Sequence, residues 1–228
     1  MTENRPNRDI QKAAFLRVGI GLPMIALFIL LPAWRWDYWQ GWLYMLILFF
    51  PMFFVLAYLL KNDPALLERR MHTREKETAQ RRIVGLSLLY FLVVFTMPGF
   101  DVRFGWSNVP PWVSLVADVF VFAGYMTFVW TLVTNSYLSR VVEVNAGQKV
   151  ISTGPYAIVR HPMYAGIIVM YIASPVALGS FWAAIPALFI VPLLVARIRN
   201  EEQVLLRDLP GYAEYTQKVK YRLLPGVW

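Results

Sequence analysis

The sequence contains no cysteine and only two histidines, His72 and His161. The lack of cysteine excludes disulfides, thiolate nucleophiles and cysteine-ligated zinc or iron–sulfur sites, and we expect no metal site. Charged residues are also few, at 16% of the chain, whereas 58% of the residues are hydrophobic. Soluble domains have roughly 45–50% apolar residues. The composition therefore predicts an integral membrane protein.

Long apolar runs define six candidate membrane spans, because a spanning helix needs about 20 mostly apolar residues. The runs cover residues 15–32, 40–60, 83–98, 112–136, 163–178 and 181–198. The first run is expected to stay in the protein as a span and not to be a cleaved signal peptide. The predicted fold class is all-α, a polytopic helical bundle. No convincing G-x-G-x-x-G turn follows a strand, which agrees with a fold that has no Rossmann domain.

The last two candidate spans are joined by only Gly179 and Ser180. Five spans with a re-entrant C-terminal hairpin is therefore the alternative to six. With six spans, both termini and the loops 61–82 and 137–162 lie on one side, which holds all of the 22 Lys and Arg residues except Arg35 and Arg103. The positive-inside rule places this side, with the termini and the active site, in the cytoplasm.

Two regions of the chain are expected to differ in role. Residues 1–136 would form the N-terminal transmembrane helices with the loop 61–82, and residues 137–228 the catalytic, cofactor-binding region. The charge pattern of loop 61–82 is typical of an interfacial helix in the headgroup region, and His72 within it is expected to be a surface histidine. Asp118, inside the fourth candidate span, is interpreted as structural. The net charge of +8 is explained by the membrane, so we expect no nucleic-acid partner.

The first polar cluster is TGPYAIVRHPMYAG, residues 153–166, which precedes the fifth candidate span. Pro162 is expected in the first turn of a helix, where its missing N–H has no cost. The free amides of that turn, the helix dipole and Arg160 would together bind an anion such as a carboxylate or a phosphate. His161 precedes a proline, which favours an extended backbone and turns its ring toward the loop.

The second polar cluster is RIRNEE, residues 197–202, at the end of the last candidate span. Arg197 and Glu201 are four residues apart and therefore share one helix face. Antiparallel packing of the last two helices would bring this cluster next to His161 at the same membrane face. An anion site beside an acidic group suits a zwitterionic ligand in a site that opens onto lipid.

These clusters, followed by the tail GYAEYTQKVKYRLLPGVW, resemble the C-terminal half of the isoprenylcysteine carboxyl methyltransferase family and its phospholipid methyltransferase relatives. The resemblance covers about residues 135–228 and rests on the ordered motifs G-x-Y, R-H-P-x-Y-x-G, E-E and Y-x-x-Y-x-x-x-V. It implies an integral membrane enzyme that uses S-adenosylmethionine. The implied methyl acceptor is a lipophilic, membrane-partitioned molecule, such as a prenylcysteine-type carboxylate or another lipid acid or amine. The expected partners are a substrate that is either a lipophilic small molecule or a lipidated molecule, and the membrane lipids.

The resemblance also implies roles for particular residues. Arg197 matches the arginine that acts on the substrate, and Glu201 matches the acidic cofactor contact; both are expected to be catalytic. Gln148 stands where some family members have histidine, and Glu143 stands in the place of an upstream glutamine. The residues that match cofactor-binding positions, besides Glu201, are Gln148, Lys149, Val150, Ile151, Tyr156, His161, Pro162, Met163 and Tyr164.

Two other interpretations stay open. Membrane sterol reductases, which use NADPH, have a similar R-H-P-x-Y-x-G loop and a tail near V-x-Y-R-L-L-P-G. They typically have asparagine after R-H-P and an acid after the last glycine, where this chain has Met163 and Ile167, so methyl transfer is favoured. A non-enzymatic membrane scaffold or small transporter would predict no convergence of His161 and Glu201.

Overall fold

The computed structural model describes residues 8–71, 78–145 and 147–228. Within these ranges the chain is helical and has no strand, which confirms the predicted all-α class. A single turn of 3-10 helix covers Gly154–Ala157. The α-helices are α1 (Arg8–Ala33), α2 (Trp39–Asn62), α3 (Pro64–Met71), α4 (Thr78–Phe104), α5 (Pro111–Thr134), α6 (Pro162–Ala177), α7 (Ala184–Ala187), α8 (Ile190–Asp208) and α9 (Tyr212–Lys218).

Within the described part of the chain, four helices are long and apolar enough to cross a membrane. These segments are Ile10–Ala33, Trp39–Asn62, Ile83–Phe104 and Pro111–Thr134. They correspond to the first four predicted spans, and the third is longer than predicted because α4 continues past Pro98. Large apolar side chains such as Leu16, Phe54 and Leu88 are more than 60% exposed on these helices. Such a surface is stable in lipid and not in water, so the protein is an integral membrane protein.

The last two predicted spans form a hairpin of α6 with α7 and α8. Helix α6 has 16 residues, which corresponds to a length of about 24 Å. The turn after α6 lies against the start of α2 and the end of α4, because Tyr38 Oη donates to the carbonyl of Leu178 and Ser180 Oγ donates to Asp101 Oδ2. The hairpin therefore runs from one end of the bundle to the other. Helix α6 is shorter than the four spanning helices, and the predicted sixth span, 181–198, is not one helix, because α7 and α8 divide it. The choice between six crossings and a re-entrant hairpin stays a prediction.

Helices α5 and α6 pack through direct backbone contact at two glycines. A Cβ on Gly124 would lie 2.5 Å from the carbonyl oxygen of Gly166, and a Cβ on Gly166 would lie 2.6 Å from that of Gly124. Small residues permit such close approach of membrane helices. Because α6 starts at Pro162, one turn before Gly166, this contact fixes where the polar start of α6 lies relative to the end of α5.

Helix α3 lies across the ends of α1, α2 and α5. Asp63 Oδ1 accepts a hydrogen bond from the amide of Leu66 at 2.9 Å and thereby caps the helix start. Leu66 and Leu67 are buried in a cluster with Ala14, Leu59 and Leu132. A helix is thus observed for Pro64–Met71 within loop 61–82, and its position in the headgroup region stays a prediction. The prediction for His72 falls outside the described residues.

Asp118 is buried on α5, with 4% of its surface exposed. Its two carboxylate oxygens have no hydrogen-bond partner in the described part of the chain. The interpretation of Asp118 as structural stays a prediction.

Candidate active site

A pocket lies at the end of the bundle where α6 begins and the polar part of α8 ends. The loop after α5, the 3-10 helix, α6, α8 and α9 all contribute to its walls. The eleven residues assigned above to the site all line it: Gln148, Lys149, Val150, Ile151, Tyr156, His161, Pro162, Met163, Tyr164, Arg197 and Glu201. The structure therefore brings together residues from three separate segments of the sequence.

Tyr164 bridges the two polar residues that α8 presents to the pocket. Its hydroxyl donates to Glu201 Oε2 at 2.6 Å and accepts from Arg197 Nε at 2.9 Å. Arg197 Nη2 also donates to the carbonyl of Arg140 at 2.7 Å. Arg197 and Glu201 lie one turn apart on α8, so a single hydroxyl from α6 orients both the guanidinium and the carboxylate.

Glu202 is directed away from the pocket into a cluster of basic groups. It is 5% exposed, and Arg222 Nε donates to its Oε2 at 2.6 Å. His161 Nε2 lies 3.3 Å from Oε1, and Arg160 Nε lies 3.0 Å from the same oxygen. The N–H of Arg160 is not aligned with that oxygen, so this contact is an ion pair and not a hydrogen bond. One buried carboxylate thus interacts with three basic side chains.

The ionisation of Glu202 follows from these contacts. Burial raises its pKa, but hydrogen bonds from His161 and Arg222 and the charges of His161 and Arg160 outweigh burial and hold the pKa below its ordinary value. Glu202 is therefore ionised at neutral pH. Arg160 lines the pocket and is also paired with Glu202, which supplies a counter-charge to its buried guanidinium. Its expected role in an anion site stays a prediction.

His161 lies between the two glutamates. Its Nδ1 is 3.9 Å from Glu201 Oε1, while its Nε2 approaches Glu202. Its backbone has φ −127° and ψ 60°, so φ is extended as expected for a residue before proline. The amides of Tyr164 and Ala165 donate to the His161 carbonyl at 3.1 and 3.2 Å. These two amides therefore form hydrogen bonds within the first turn of the helix. They are not the free N–H groups that we expected to bind an anion.

The C-terminal tail holds the site loop in place through its backbone. The amide of Arg160 donates to the carbonyl of Tyr221, and the amide of His161 donates to that of Arg222, both at 2.9 Å. The guanidinium of Arg222 also lies 5.1 Å from the centre of the Trp228 ring. Residues 160–161 are thus fixed by a segment that lies about 60 residues further along the chain.

Tyrosines from the 3-10 helix and α9 form the opposite wall. Tyr156 Oη accepts from Asn135 Nδ2 at 2.9 Å, and Tyr215 Oη donates to the Tyr156 carbonyl at 2.8 Å. Tyr212 also lines the pocket, and its buried hydroxyl has no partner among the described residues. Burial raises the pKa of Tyr212, so the hydroxyl stays a donor at neutral pH. Tyr212 was not among the predicted site residues, although the Y-x-x-Y spacing places it on one helix face with Tyr215.

The strip 148–151 lines the pocket at its rim. Gln148 Oε1 accepts from the amide of Asn145 at 2.9 Å, so this side chain closes a local turn. Lys149 is exposed. Glu143 also lines the pocket. The assigned cofactor and catalytic roles of all these residues stay predictions.

Comparison with known proteins agrees with the motifs. The model of the isoprenylcysteine carboxyl methyltransferase family matches residues 115–207, which confirms the predicted resemblance. The chain is also 33% identical over 90 residues to the Delta(14)-sterol reductase TM7SF2 of Mus musculus. That match covers 38% of this chain and 22% of the reductase, so the two proteins share only a segment. Residues 115–207 are therefore similar to the isoprenylcysteine carboxyl methyltransferase family, and this match supports a membrane methyltransferase.

Proposed function

We propose that this protein transfers the methyl group of S-adenosylmethionine to a lipophilic acceptor that reaches the pocket from the membrane. The observation that carries the proposal is the convergence of His161, Tyr164, Arg197 and Glu201 in one pocket at the end of an apolar helical bundle. A scaffold protein would not require this convergence. The family match of residues 115–207 supports the same class of chemistry.

The pocket has groups that suit a zwitterionic nucleoside cofactor. Glu201, whose side chain is 22% exposed, can accept hydrogen bonds from an ammonium or from ribose hydroxyls. The Tyr212 hydroxyl is a buried donor that has no partner among the described residues and fits a ligand with acceptor atoms. Lys149 at the rim can meet a carboxylate, and Tyr156 offers an aromatic wall. When bound, S-adenosylmethionine would supply the activated methyl group.

Positioning is the main catalytic contribution of the protein in this proposal. Methyl transfer needs an in-line approach of the nucleophile, and correct placement accounts for much of the rate. Arg197 would orient an anionic acceptor, because a guanidinium binds carboxylates in a planar, bidentate way. A carboxylate nucleophile is already ionised at neutral pH and needs no base. His161 therefore acts in cofactor placement in this mechanism and does not take a proton.

The first test is cofactor binding to the detergent-purified protein. We expect calorimetry to give a micromolar Kd, or about −8 kcal/mol, for S-adenosylmethionine and S-adenosylhomocysteine. NADPH is expected not to bind. Binding of NADPH without binding of either methionine derivative would overturn the proposal. It would favour a reductase instead, the second candidate function, which the 33% identity to a Delta(14)-sterol reductase supports.

The second test separates the bridge at Tyr164 from tyrosine packing in general. Tyr164→Phe removes the hydroxyl between Arg197 and Glu201, and we expect methyl transfer to fall about tenfold with little loss of stability. The matched control is Tyr90→Phe, because Tyr90 Oη donates to the Ala187 carbonyl outside the pocket. Turnover is measured with radiolabelled S-adenosylmethionine and an S-prenylated N-acetylcysteine. Equal losses in both variants would contradict the role of the bridge.

A further inference from the structure

A groove opens at the end of the bundle opposite the candidate active site, beside the turn that joins α1 to α2. Its volume is 490 Å³, which lies within the usual range of small-ligand pockets, about 300–1,000 Å³. Its apolar wall is formed by five residues of α1: Pro23, Ala26, Leu27, Leu30 and Leu31. Their spacing of three and four residues places them on one helix face, over a length of about 12 Å. The groove is therefore long enough for a stretch of hydrocarbon chain.

Three tryptophans, Trp34, Trp36 and Trp42, close the groove at the turn between α1 and α2. The indole N–H of Trp42 donates to the carbonyl of Trp36 at 3.0 Å, and the two rings stack with 6.4 Å between their centres. Trp34 has φ 52°, the only positive φ of a non-glycine residue in the described part of the chain, and this backbone is strained for a bulky side chain. Tryptophan is enriched where a membrane meets water, which indicates that this end of the groove lies at the level of the lipid headgroups.

The two basic residues at this end of the bundle both lie at the groove. Arg35 lines it, and the guanidinium of Arg103 lies 5.8 Å from the centre of the Trp34 ring. Asp37 accepts from Nε and Nη2 of Arg35 at 2.7 and 2.6 Å, which leaves Nη1 for another acceptor. Among the described residues, no carboxylate pairs with Arg103, and Asp101 beside it is fully buried and hydrogen-bonded to serines. The exposed side chains at the groove therefore carry one positive charge in excess.

We propose that this groove binds one membrane phospholipid, with an acyl chain along the apolar face of α1 and its phosphate held by Arg35 and Arg103. A phosphodiester carries the single negative charge that complements the excess positive charge, and arginine binds phosphate through charge-assisted hydrogen bonds. The apolar wall removes part of the chain from contact with water during exchange of the lipid. Because Arg103 belongs to α4, the bound lipid would connect the ends of α1 and α4. The site is remote from the candidate active site and does not depend on the proposed function.

Two lipids that differ only in the headgroup test this proposal. Dioleoylphosphatidylglycerol is the probe, and dioleoylglycerol, which has the same chains and no phosphate, is the matched control ligand. Each is titrated into the delipidated protein in detergent, and native mass spectrometry gives the affinity of the first bound lipid. We expect the wild type to bind the phosphatidylglycerol at least about tenfold more tightly than the diacylglycerol.

A pair of double variants tests the two arginines. Arg35→Gln/Arg103→Gln should weaken binding of the phosphatidylglycerol about tenfold, to the level of the diacylglycerol, because the charge-assisted hydrogen bonds to phosphate are lost. The matched control is Lys218→Gln/Lys220→Gln, which removes the same charge from exposed positions at the pocket end of the bundle. The control should bind both lipids like the wild type.

A pair of single variants tests the apolar wall and keeps the test informative if the arginine variant is unstable. Leu27 is exposed and lines the groove, so Leu27→Trp should fill it and weaken binding of both lipids at least about fivefold. Leu16 is equally exposed on α1 but does not line the groove, so Leu16→Trp should keep the wild-type affinities. Thermal unfolding without added lipid checks that the two variants are folded.

Three outcomes would overturn the inference. Equal affinity of the wild type for both lipids would show that the phosphate is not recognised. Wild-type affinity of Arg35→Gln/Arg103→Gln for the phosphatidylglycerol would show that the phosphate is bound elsewhere. The third outcome is a dimer of the wild type in light scattering that becomes a monomer in Leu27→Trp with unchanged lipid affinity, which would assign the groove to a second copy of the chain.

Discussion

Glu201 and Glu202 are neighbours with the same chemistry, and the structure predicts opposite consequences of replacing them. Glu202→Gln removes the single carboxylate shared by Arg160, His161 and Arg222. Glu201→Gln changes a pocket residue whose hydrogen bond comes from Tyr164. We expect Glu202→Gln to reduce stability strongly, and Glu201→Gln to reduce cofactor affinity while leaving stability nearly unchanged.

The magnitude follows from burial. The side chains of Arg160 and Glu202 are 8% and 6% exposed, and removing one member of such a buried pair costs about 3–5 kcal/mol because the other charge is left without a partner. The side chain of Arg222 is 34% exposed and can turn toward water. We therefore expect a loss in unfolding free energy at the lower end of this range, about 3 kcal/mol. For a chain of this size, that corresponds to a fall in Tm of about 6–12 °C. Glu201→Gln should cost no more than about 1.5 kcal/mol.

The assay is thermal unfolding in detergent, followed by the fluorescence of the nine tryptophans, together with calorimetry of S-adenosylhomocysteine. Wild type, Glu201→Gln and Glu202→Gln are measured in the same detergent. Equal Tm values for the two variants would refute the assignment of Glu202 as the buried counter-ion. A lower Tm for Glu201→Gln than for Glu202→Gln would show that the two glutamates have exchanged roles.

Three further predictions concern pH, helix packing and the opposite end of the bundle. Because the folded-state pKa of Glu202 is depressed, its stabilisation is fully present above the unfolded value of about 4.3 and is lost at lower pH, so the Tm difference between wild type and Glu202→Gln should shrink below about pH 4. Gly166→Ala should lower the free energy of unfolding by about 1–3 kcal/mol relative to Gly85→Ala. A Cβ on Gly166 would contact α5, whereas a Cβ on Gly85 has no atom within 4 Å. Thermal unfolding of the two variants checks this prediction. Asp101→Ala should cost at least about 3 kcal/mol, because three hydrogen bonds to a fully buried carboxylate are lost, while affinity for S-adenosylhomocysteine, measured by calorimetry, stays unchanged. Loss of that affinity without loss of stability would contradict the separation of the two ends.

The sequence was sufficient for the first four spans and for the convergence of the two polar clusters in one pocket. Apolar runs and their lengths predict the helices, since lipid leaves the backbone few alternatives. The last two apolar runs are separated only by Gly179–Ser180 in the sequence, which predicts antiparallel helices with His161 and Glu201 at the same end. In the structure the connection from α6 to α7 is longer, residues 178–183. The predicted third span ended early because Pro98 resembles a helix end, although α4 continues to Phe104.

The assignment of charges inside the site was not predictable in the same way. In the pair Glu201 and Glu202, the rotation of α8 about its axis decides which carboxylate lines the pocket, and packing with α6 sets that rotation. Arg160 was expected to bind an anion, but its counter-ion comes from α8 and is shared with Arg222 of the tail. No structural role was predicted for Asp101, because its hydrogen-bond partner Ser180 lies 79 residues away in the sequence. Such long-range pairings leave no periodic signal in the sequence.

The backbone pairing of the tail with the site loop has a consequence for biosynthesis. The amides of Arg160 and His161 have these acceptors only once the carbonyls of Tyr221 and Arg222 are present. During translation, the membrane helices up to α8 emerge before these tail residues. Glu202 would then interact with Arg160 and His161 before Arg222 is available. The bundle can therefore insert in the membrane first, and the pocket becomes complete only after residue 222 has left the ribosome.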